Sequence, residues 1–306
     1  MAPIPTGATQ TKGFSNLTND EFESSNGANA PAANDASGRG WKFILISAGA
    51  GVLAVALVLG GVMWFSSGTA GDPQAAPREQ TEAASEVDLA ALTESTTHTK
   101  LDNAPIDPAP QEVTDGTVVH PKQMTKVYDA PNGTAFAKIG PKQLGDTWLP
   151  VIATQDGWSQ VLLPSKPNGA SGWISDDAVV RDTTPYLIRV HLGSRTIELR
   201  KDGEQLGSWP IGIGKEETPT PTGRTFLLGS FVDPNQDFSP VILPLGSHSE
   251  TLDTFGGGPG TVAIHTWPTS DVFGTRSSHG CIQVPKDALN RLTEVPLGTL
   301  VLVDQH

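Results

Sequence analysis

The sequence predicts a mainly β protein preceded by one transmembrane helix. Three observations predict it. An apolar run over 43–65 carries no charged residue. From 117 onward, short stretches of β-branched and aromatic residues are divided by Gly, Pro, Asn and Asp turns. Only one later stretch, Asp287–Leu292, has helical character.

Residues 1–40 are mostly Asn, Ala, Gly, Ser and Thr. They offer too little apolar surface to offset the entropy of ordering, so a disordered tail is expected. The run Phe43–Phe65 is long enough, at ~1.5 Å per helical residue, to cross a hydrocarbon core of about 30 Å. Trp41 and Trp64 flank it as interfacial aromatics, and Arg39 and Lys42 precede it, while the next basic residue is Arg78. The positive-inside rule then places the tail in the cytoplasm and the rest of the chain outside the cell membrane. The long polar lead favours a retained anchor over a cleaved signal peptide.

Residues 66–115 read as an acidic, proline-rich tether. Ten acids face two bases, Arg78 and Lys100, with prolines at 73, 77, 105, 108 and 110. Charge repulsion and proline both extend such a segment. The formal net charge of −13 excludes nucleic acid as a partner, because phosphate binding needs a basic face. The single cysteine excludes an intramolecular disulfide, and an unpaired thiol outside the cytoplasm points to a sulfur in use. No cofactor or metal is called for.

Between 117 and 182 the strand-like segments Val118–Val119, Lys126–Tyr128, Trp148–Ile152 and Trp158–Leu162 are separated by Pro131-Asn132-Gly133, Asp156-Gly157 and Pro167-Asn168-Gly169. Many short strands in so few residues predict a small barrel. Asp156-Gly157-Trp158-Ser159-Gln160-Val161 with Gly172-Trp173-Ile174 resembles bacterial SH3-like domains, which implies a module that docks the cell wall or a partner; the alternative is a rigid spacer.

A second β-rich module is expected over 184–304. Tyr186–Leu192 and Thr196–Leu199 alternate around Gly193-Ser194 as a hairpin. Asp202-Gly203 opens a further turn, Thr220-Pro221-Thr222-Gly223 leads into the strand Thr225–Leu228, and a last strand covers Thr299–Val303.

This module holds the only cysteine, Cys281, inside Ser278-His279-Gly280-Cys281, with His265 upstream. A thiol is a nucleophile only as thiolate, and an imidazole in reach supplies the base; His265 and His279 are both candidates. A glycine beside the nucleophile permits a sharp turn and leaves peptide N–H groups to meet a developing oxyanion.

Twelve residues separate His265 from Ser278, and this pattern resembles the YkuD-type L,D-transpeptidases, as does the order of hairpin, strand, Thr-Pro-Thr-Gly and strand. The resemblance implies that Cys281 attacks a peptide carbonyl to form a thioester and that His265 takes the thiol proton. It also implies that the Thr266 carbonyl orients the imidazole, that the Gly280 and Cys281 N–H groups form the oxyanion hole, and that His279 shapes the site. Ser278, Gln283, Trp267 and Arg276 are the residues expected to line the substrate cleft, Ser278 in a structural rather than a reactive role. Gln283 departs from the family, where that position is commonly Arg or Asn, which puts carboxylate recognition there in doubt.

The expected activity is formation of 3→3 cross-links between peptidoglycan stem peptides, with carbapenems as covalent inhibitors. The alternatives are an L,D-carboxypeptidase and a non-catalytic wall-binding protein. NlpC/P60-type endopeptidases place cysteine before histidine, the reverse of the order here.

Overall fold

The computed structural model describes residues 87–306. The predicted tail, the predicted membrane span and residues 66–86 of the predicted tether lie outside the described residues. Among those described, no helix is long and apolar enough to cross a membrane.

The first eight strands form one sheet: β1 (Thr93–Glu94), β2 (Thr117–Pro121), β3 (Thr125–Tyr128), β4 (Ala135–Ile139), β5 (Leu149–Gln155), β6 (Trp158–Leu162), β7 (Ser171–Ser175) and β8 (Val179–Thr183). Their order is β1-β4-β3-β7-β6-β5-β2-β8. All pairings are antiparallel except β1 with β4. Alternation sets the inner face: Ala135, Ala137 and Ile139 of β4 are buried, with Phe136 and Lys138 between them half-buried. Trp148, Trp158 and Trp173 are half-buried rather than sealed in the core.

The second half contains β9 (Tyr186–His191), β10 (Thr196–Lys201), β11 (Glu204–Pro210), β12 (Ile213–Gly214), β13 (Gly223–Phe226), β14 (Leu243–His248), β15 (Thr261–His265), β16 (Arg276–Ser278), β17 (Ile282–Gln283), the helix α1 (Lys286–Leu292) and β18 (Leu300–Asp304). The predicted hairpin, helix and last strand are all present. Asp202 and Gly203 both take positive φ, 51° and 81°, as the tight β10–β11 connection requires. Five strands run in the order β11-β10-β9-β18-β13, and a separate three-stranded sheet runs β14-β15-β17. The core between them is Ile188, Val190, Ile197, Leu199, Val262, Ile264, Ile282 and Val284, closed by Leu289 and Leu292 of α1.

The strand β13 with the two residues that follow it, and the strand β18, serve both halves. Phe226, Leu228 and Leu300 are buried in the core of the first sheet, while Leu227, Val301 and Val303 are buried in that of the second. The predicted linker character of 66–115 is corrected over its described part. Residues 87–115 are folded onto both halves. Leu92 and Leu101 are buried, Leu101 N–H donates to Lys166 O at 2.8 Å, and Ser171 N–H donates to Pro105 O at 2.7 Å. Asp107, read in sequence as one more repelling acid, is buried against Arg224 of β13, accepting from Nε at 2.7 Å and also from Nη2. Prolines and acids masked this segment because its backbone bonds go to turns, so its apolar residues follow neither a helical nor a strand period.

His248, at the end of β14, ties the same three parts together. Its backbone exchanges two 2.8 Å hydrogen bonds with the Asn168 side chain, and its Nε2–H donates to Thr97 O at 2.9 Å. The other ring nitrogen, Nδ1, is buried with no partner. A proton there would place a charge away from water, and burial accordingly pushes the pKa down to about 4. The unfolded chain therefore binds a proton that the folded chain refuses. Stability from His248 is complete above pH ~6.5 and is lost as pH falls toward 4, by about 3 kcal/mol. Urea midpoints should drop between pH 7 and pH 4.5. The drop should be smaller in His248→Gln, whose amide can still donate to Thr97.

Candidate active site

The cysteine and the upstream histidine come from neighbouring strands. β15 and β17 pair in parallel, Ile264 with Ile282 and His265 with Gln283. Paired residues share a face, and alternate residues change face. Val262, Ile264, Ile282 and Val284 therefore enter the core, and Ala263, His265, Cys281 and Gln283 project from the other side. Cys281 stands two rungs before the His265–Gln283 pair, the preceding position on the same face, so thiol and imidazole are diagonal neighbours on one surface. No hydrogen bond joins them in this resting arrangement.

His265 is 7% exposed. Its Nδ1 lies 2.7 Å from Thr266 O, and because a carbonyl can only accept, Nδ1 carries the proton and Nε2 keeps its lone pair. Thr266 is itself fixed, its N–H donating to Ser239 Oγ at 3.0 Å and its hydroxyl to Phe238 O at 3.0 Å. The Phe238 ring meets the imidazole edge-on at 5.0 Å and packs on Trp267 at 5.5 Å. Trp267 is 39% exposed at the rim of this group. Phe238 and Ser239 were not found from sequence. They sit in a loop rich in Pro, Asn and Asp, and only the isolated aromatic among polar residues marked it.

The turn that presents the thiol is braced from within and from behind. Gly280 has φ 114°, a conformation that strains any residue with a Cβ. Ser278 is buried; its hydroxyl donates to Cys281 O at 2.6 Å and accepts from Gly280 N–H at 3.2 Å. Two sequence expectations are corrected by this geometry. Ser278 holds the turn rather than facing a substrate, and the Gly280 N–H is engaged rather than free for an oxyanion.

The loop 215–220 closes the back of the turn. Lys215 N–H donates to Ser278 O at 3.0 Å, Thr218 Oγ1 to Ser278 O at 3.3 Å, and Thr220 Oγ1 to Gly280 O at 2.9 Å. Gly214 permits this approach, since a Cβ there would lie 2.2 Å from Thr218 O.

The remaining expected residues separate. Gln283 is buried, its Oε1 accepts from Ser277 Oγ at 2.9 Å, and its backbone pairs with Gly212 in both directions. Its position thus suits support of the sheet more than contact with a ligand. Arg276 is exposed on β16, whose backbone pairs with β12. The His279 ring stacks on Phe255 at 5.4 Å and 28°. Phe255 leads a glycine turn, Gly256 and Gly257 at φ 56° and 77°, and was also missed in sequence.

Burial governs the electrostatics. It pushes the Cys281 thiol up, against a smaller opposing effect of the Ala263 backbone N–H, and it pushes His265 down, against the bond to Thr266. Both shifts favour the uncharged pair, thiol and neutral imidazole. His279 is held low by desolvation and then by the charge of Lys215. A neutral imidazole with a free Nε2 on the same surface as a neutral thiol can remove the proton as the sulfur attacks.

Residues 185–303 match the family model described as YkuD, L,D-transpeptidase catalytic domain. The chain is 26% identical over 168 residues to the YkuD protein of Bacillus subtilis strain 168, which bears an L,D-transpeptidase name; the match covers 53% of this chain and 95% of that one. The corresponding Bacillus licheniformis protein is 27% identical over 167 residues, covering 52% and 94%. Among solved structures, the catalytic domain of an L,D-transpeptidase from E. faecium is 25% identical, covering 39% of this chain and 96% of that one at a TM-score of 0.32. An L,D-transpeptidase from Mycobacterium tuberculosis H37Rv is 18% identical, covering 46% and 74% at a TM-score of 0.35. The family model and the curated relatives thus agree that residues 185–303 are similar to the L,D-transpeptidase catalytic domains of the YkuD family.

Proposed function

We propose that the chain is a membrane-anchored enzyme that forms 3→3 cross-links in peptidoglycan through a thioester on Cys281. The observation that carries the reading is the shared face of Cys281 and His265, with the imidazole fixed by the Thr266 carbonyl in the tautomer that leaves Nε2 basic. Cys281 Sγ attacks the carbonyl that joins the third and fourth residues of a tetrapeptide stem as His265 Nε2 takes the thiol proton. The tetrahedral intermediate collapses, the amine of the terminal D-residue leaves with that proton, and the third residue stays on sulfur as a thioester. The side-chain amine of a neighbouring stem's diamino acid attacks the thioester, loses its proton to Nε2, and releases the thiolate, which is reprotonated. The Cys281 N–H is the amide in the nucleophile turn left to stabilise the oxyanion, since that of Gly280 is engaged by Ser278.

The apolar run 43–65 would hold this domain at the outer membrane face, and the sheet over 117–183 would act as an SH3-like module against the wall. On this reading, carbapenem-class β-lactams acylate Cys281 and are its covalent inhibitors.

The test is incubation of the full chain in detergent with purified disaccharide-tetrapeptide, read by mass. A cross-linked dimer is expected. Tripeptide alone means that water is the acceptor and the protein is a carboxypeptidase. Unchanged substrate overturns the enzymatic reading.

A further inference from the structure

The charges around the nucleophile turn are not evenly disposed. Asp237, Glu250, Asp253 and Asp271 lie on the loops that flank β14, β15 and the segment after Trp267, and Glu216 and Glu217 lie on the loop behind the turn. In a protein of net charge −13, such surroundings repel an anionic peptide. Two exposed cations interrupt them on the paired segments that lead to the turn, Arg276 on β16 and Lys215 beside His279. Lys215 follows β12, whose pairing with β16 places Ile213 beside Arg276 and Gly214 beside Ser278. The Lys215 N–H bond to Ser278 O continues this ladder, so that Lys215 stands on the rung of His279, two residues before the nucleophile. Its side chain is exposed and forms no ion pair with any carboxylate among the described residues. Its charge reaches the His279 ring, which Phe255 covers from the other side. The backbone of Lys215 is thus fixed to the nucleophile turn, while its side chain is exposed and outside any ion pair among the described residues.

We propose that Lys215 is a specificity-determining residue that binds a free carboxylate of the donor peptide. The inference rests on the transpeptidase reading of the same site. A tetrapeptide stem carries carboxylates at its terminal D-residue and on its side branches, and its scissile carbonyl must reach Cys281. A cation whose backbone is held on the rung two residues before Cys281 can hold one of those carboxylates while the carbonyl meets the thiol. Gln283, the polar residue two positions past the cysteine, cannot serve: it is uncharged, buried and committed to Ser277. Lys215 presents an ammonium point charge on a flexible stem, so the contact tolerates variation in the angle of the carboxylate. The bond would be charge-assisted, which sets the size of the expected loss.

The test uses the full chain in detergent and compares wild type with Lys215→Gln and Lys215→Arg on three donors: the free tetrapeptide, the same peptide amidated at its C-terminal carboxylate, and the peptide amidated at its side-branch carboxylates. Lys215→Gln should lower kcat/KM on the free peptide by roughly 10- to 100-fold. Lys215→Arg should restore most of that loss. Amidating the bound carboxylate should cost wild type the same factor and cost Lys215→Gln nothing further, and whichever amidation behaves so identifies the carboxylate. Alkylation of Cys281 by uncharged iodoacetamide should keep its rate in both variants, as a merely structural role for Lys215 would not. Wild type that turns over the free peptide while Lys215→Gln matches it, or loses the same factor on every donor, overturns the subsite and leaves the transpeptidase reading standing. Wild type inert on every donor overturns that reading, and the subsite falls with it.

Discussion

Replacing His265 by glutamine should slow acylation of Cys281 about 10²- to 10⁴-fold, the range of general acid–base catalysis by a positioned side chain. The structure gives the reason. Cys281 and His265 rest uncharged, because burial raises the thiol pKa and lowers that of the imidazole. Little thiolate exists before the substrate arrives, so the proton must move as the sulfur attacks, and glutamine cannot accept it.

The same shifts set the pH dependence. Wild-type acylation needs His265 neutral, so its acid limb should lie below the ordinary histidine value of 6.5, and the rate should be level from there toward the thiol's own raised pKa, above 9.0. In His265→Gln the residual rate should follow the thiolate and climb steadily through neutral and alkaline pH. Stopped-flow acylation by a carbapenem across pH 5 to 10 reads both profiles. A wild-type rate that tracks thiolate concentration, or a variant with an unchanged profile, would contradict the assignment of His265 as base.

Replacing Arg224 by alanine should destabilise the fold by about 3–5 kcal/mol, because it strands the buried carboxylate of Asp107. The two side chains are 3% and 1% exposed, and Arg224 also donates from Nη1 to Glu112 O at 3.3 Å. An ion pair at the surface gives the contrast. Arg181 and Asp176 meet at 2.9 Å with side chains 39% and 36% exposed, and Arg181→Ala should cost no more than about 1 kcal/mol. Exchanging both buried partners for apolar residues, Asp107→Leu with Arg224→Met, should recover much of the loss, since the unpaired charge is then gone. Urea unfolding of the four proteins measures this. The same pair implies that a fragment begun at residue 117 lacks a built part of the fold, whereas one begun at 87 keeps it.

The sequence made the β-rich modules legible because their strands alternate and their turns are chemically marked. Tyr186–Leu192 and Asp202-Gly203 could hardly be read otherwise. It also pointed to Cys281, His265 and Thr266, because the chemistry needs those residue types and the resemblance fixed their spacing. What it hid depends on contacts far apart in the chain. Asp107 looks like any linker acid until Arg224, 117 positions later, folds onto it. Phe238 and Ser239 look like loop residues until β14 and β15 bring them to Thr266. Ser278 reads as structural, but only the fold shows that its hydroxyl is taken up within the turn, as is the Gly280 N–H that the resemblance assigned to the oxyanion. A sequence motif names the groups and leaves open which of their hydrogen bonds the fold has already used.

The central claim is that Cys281 carries the acyl group, and the intact mass of the protein during turnover tests it most directly. Full-length wild type mixed with excess tetrapeptide donor and no acceptor, then quenched in acid, should gain the mass of the donor less that of the whole terminal amino acid it releases, on the peptide that contains Cys281. The adduct should be cleaved by hydroxylamine, as a thioester is, and be absent in Cys281→Ala. Cross-linked product from Cys281→Ala, or an acyl group found on any other residue, would contradict the account.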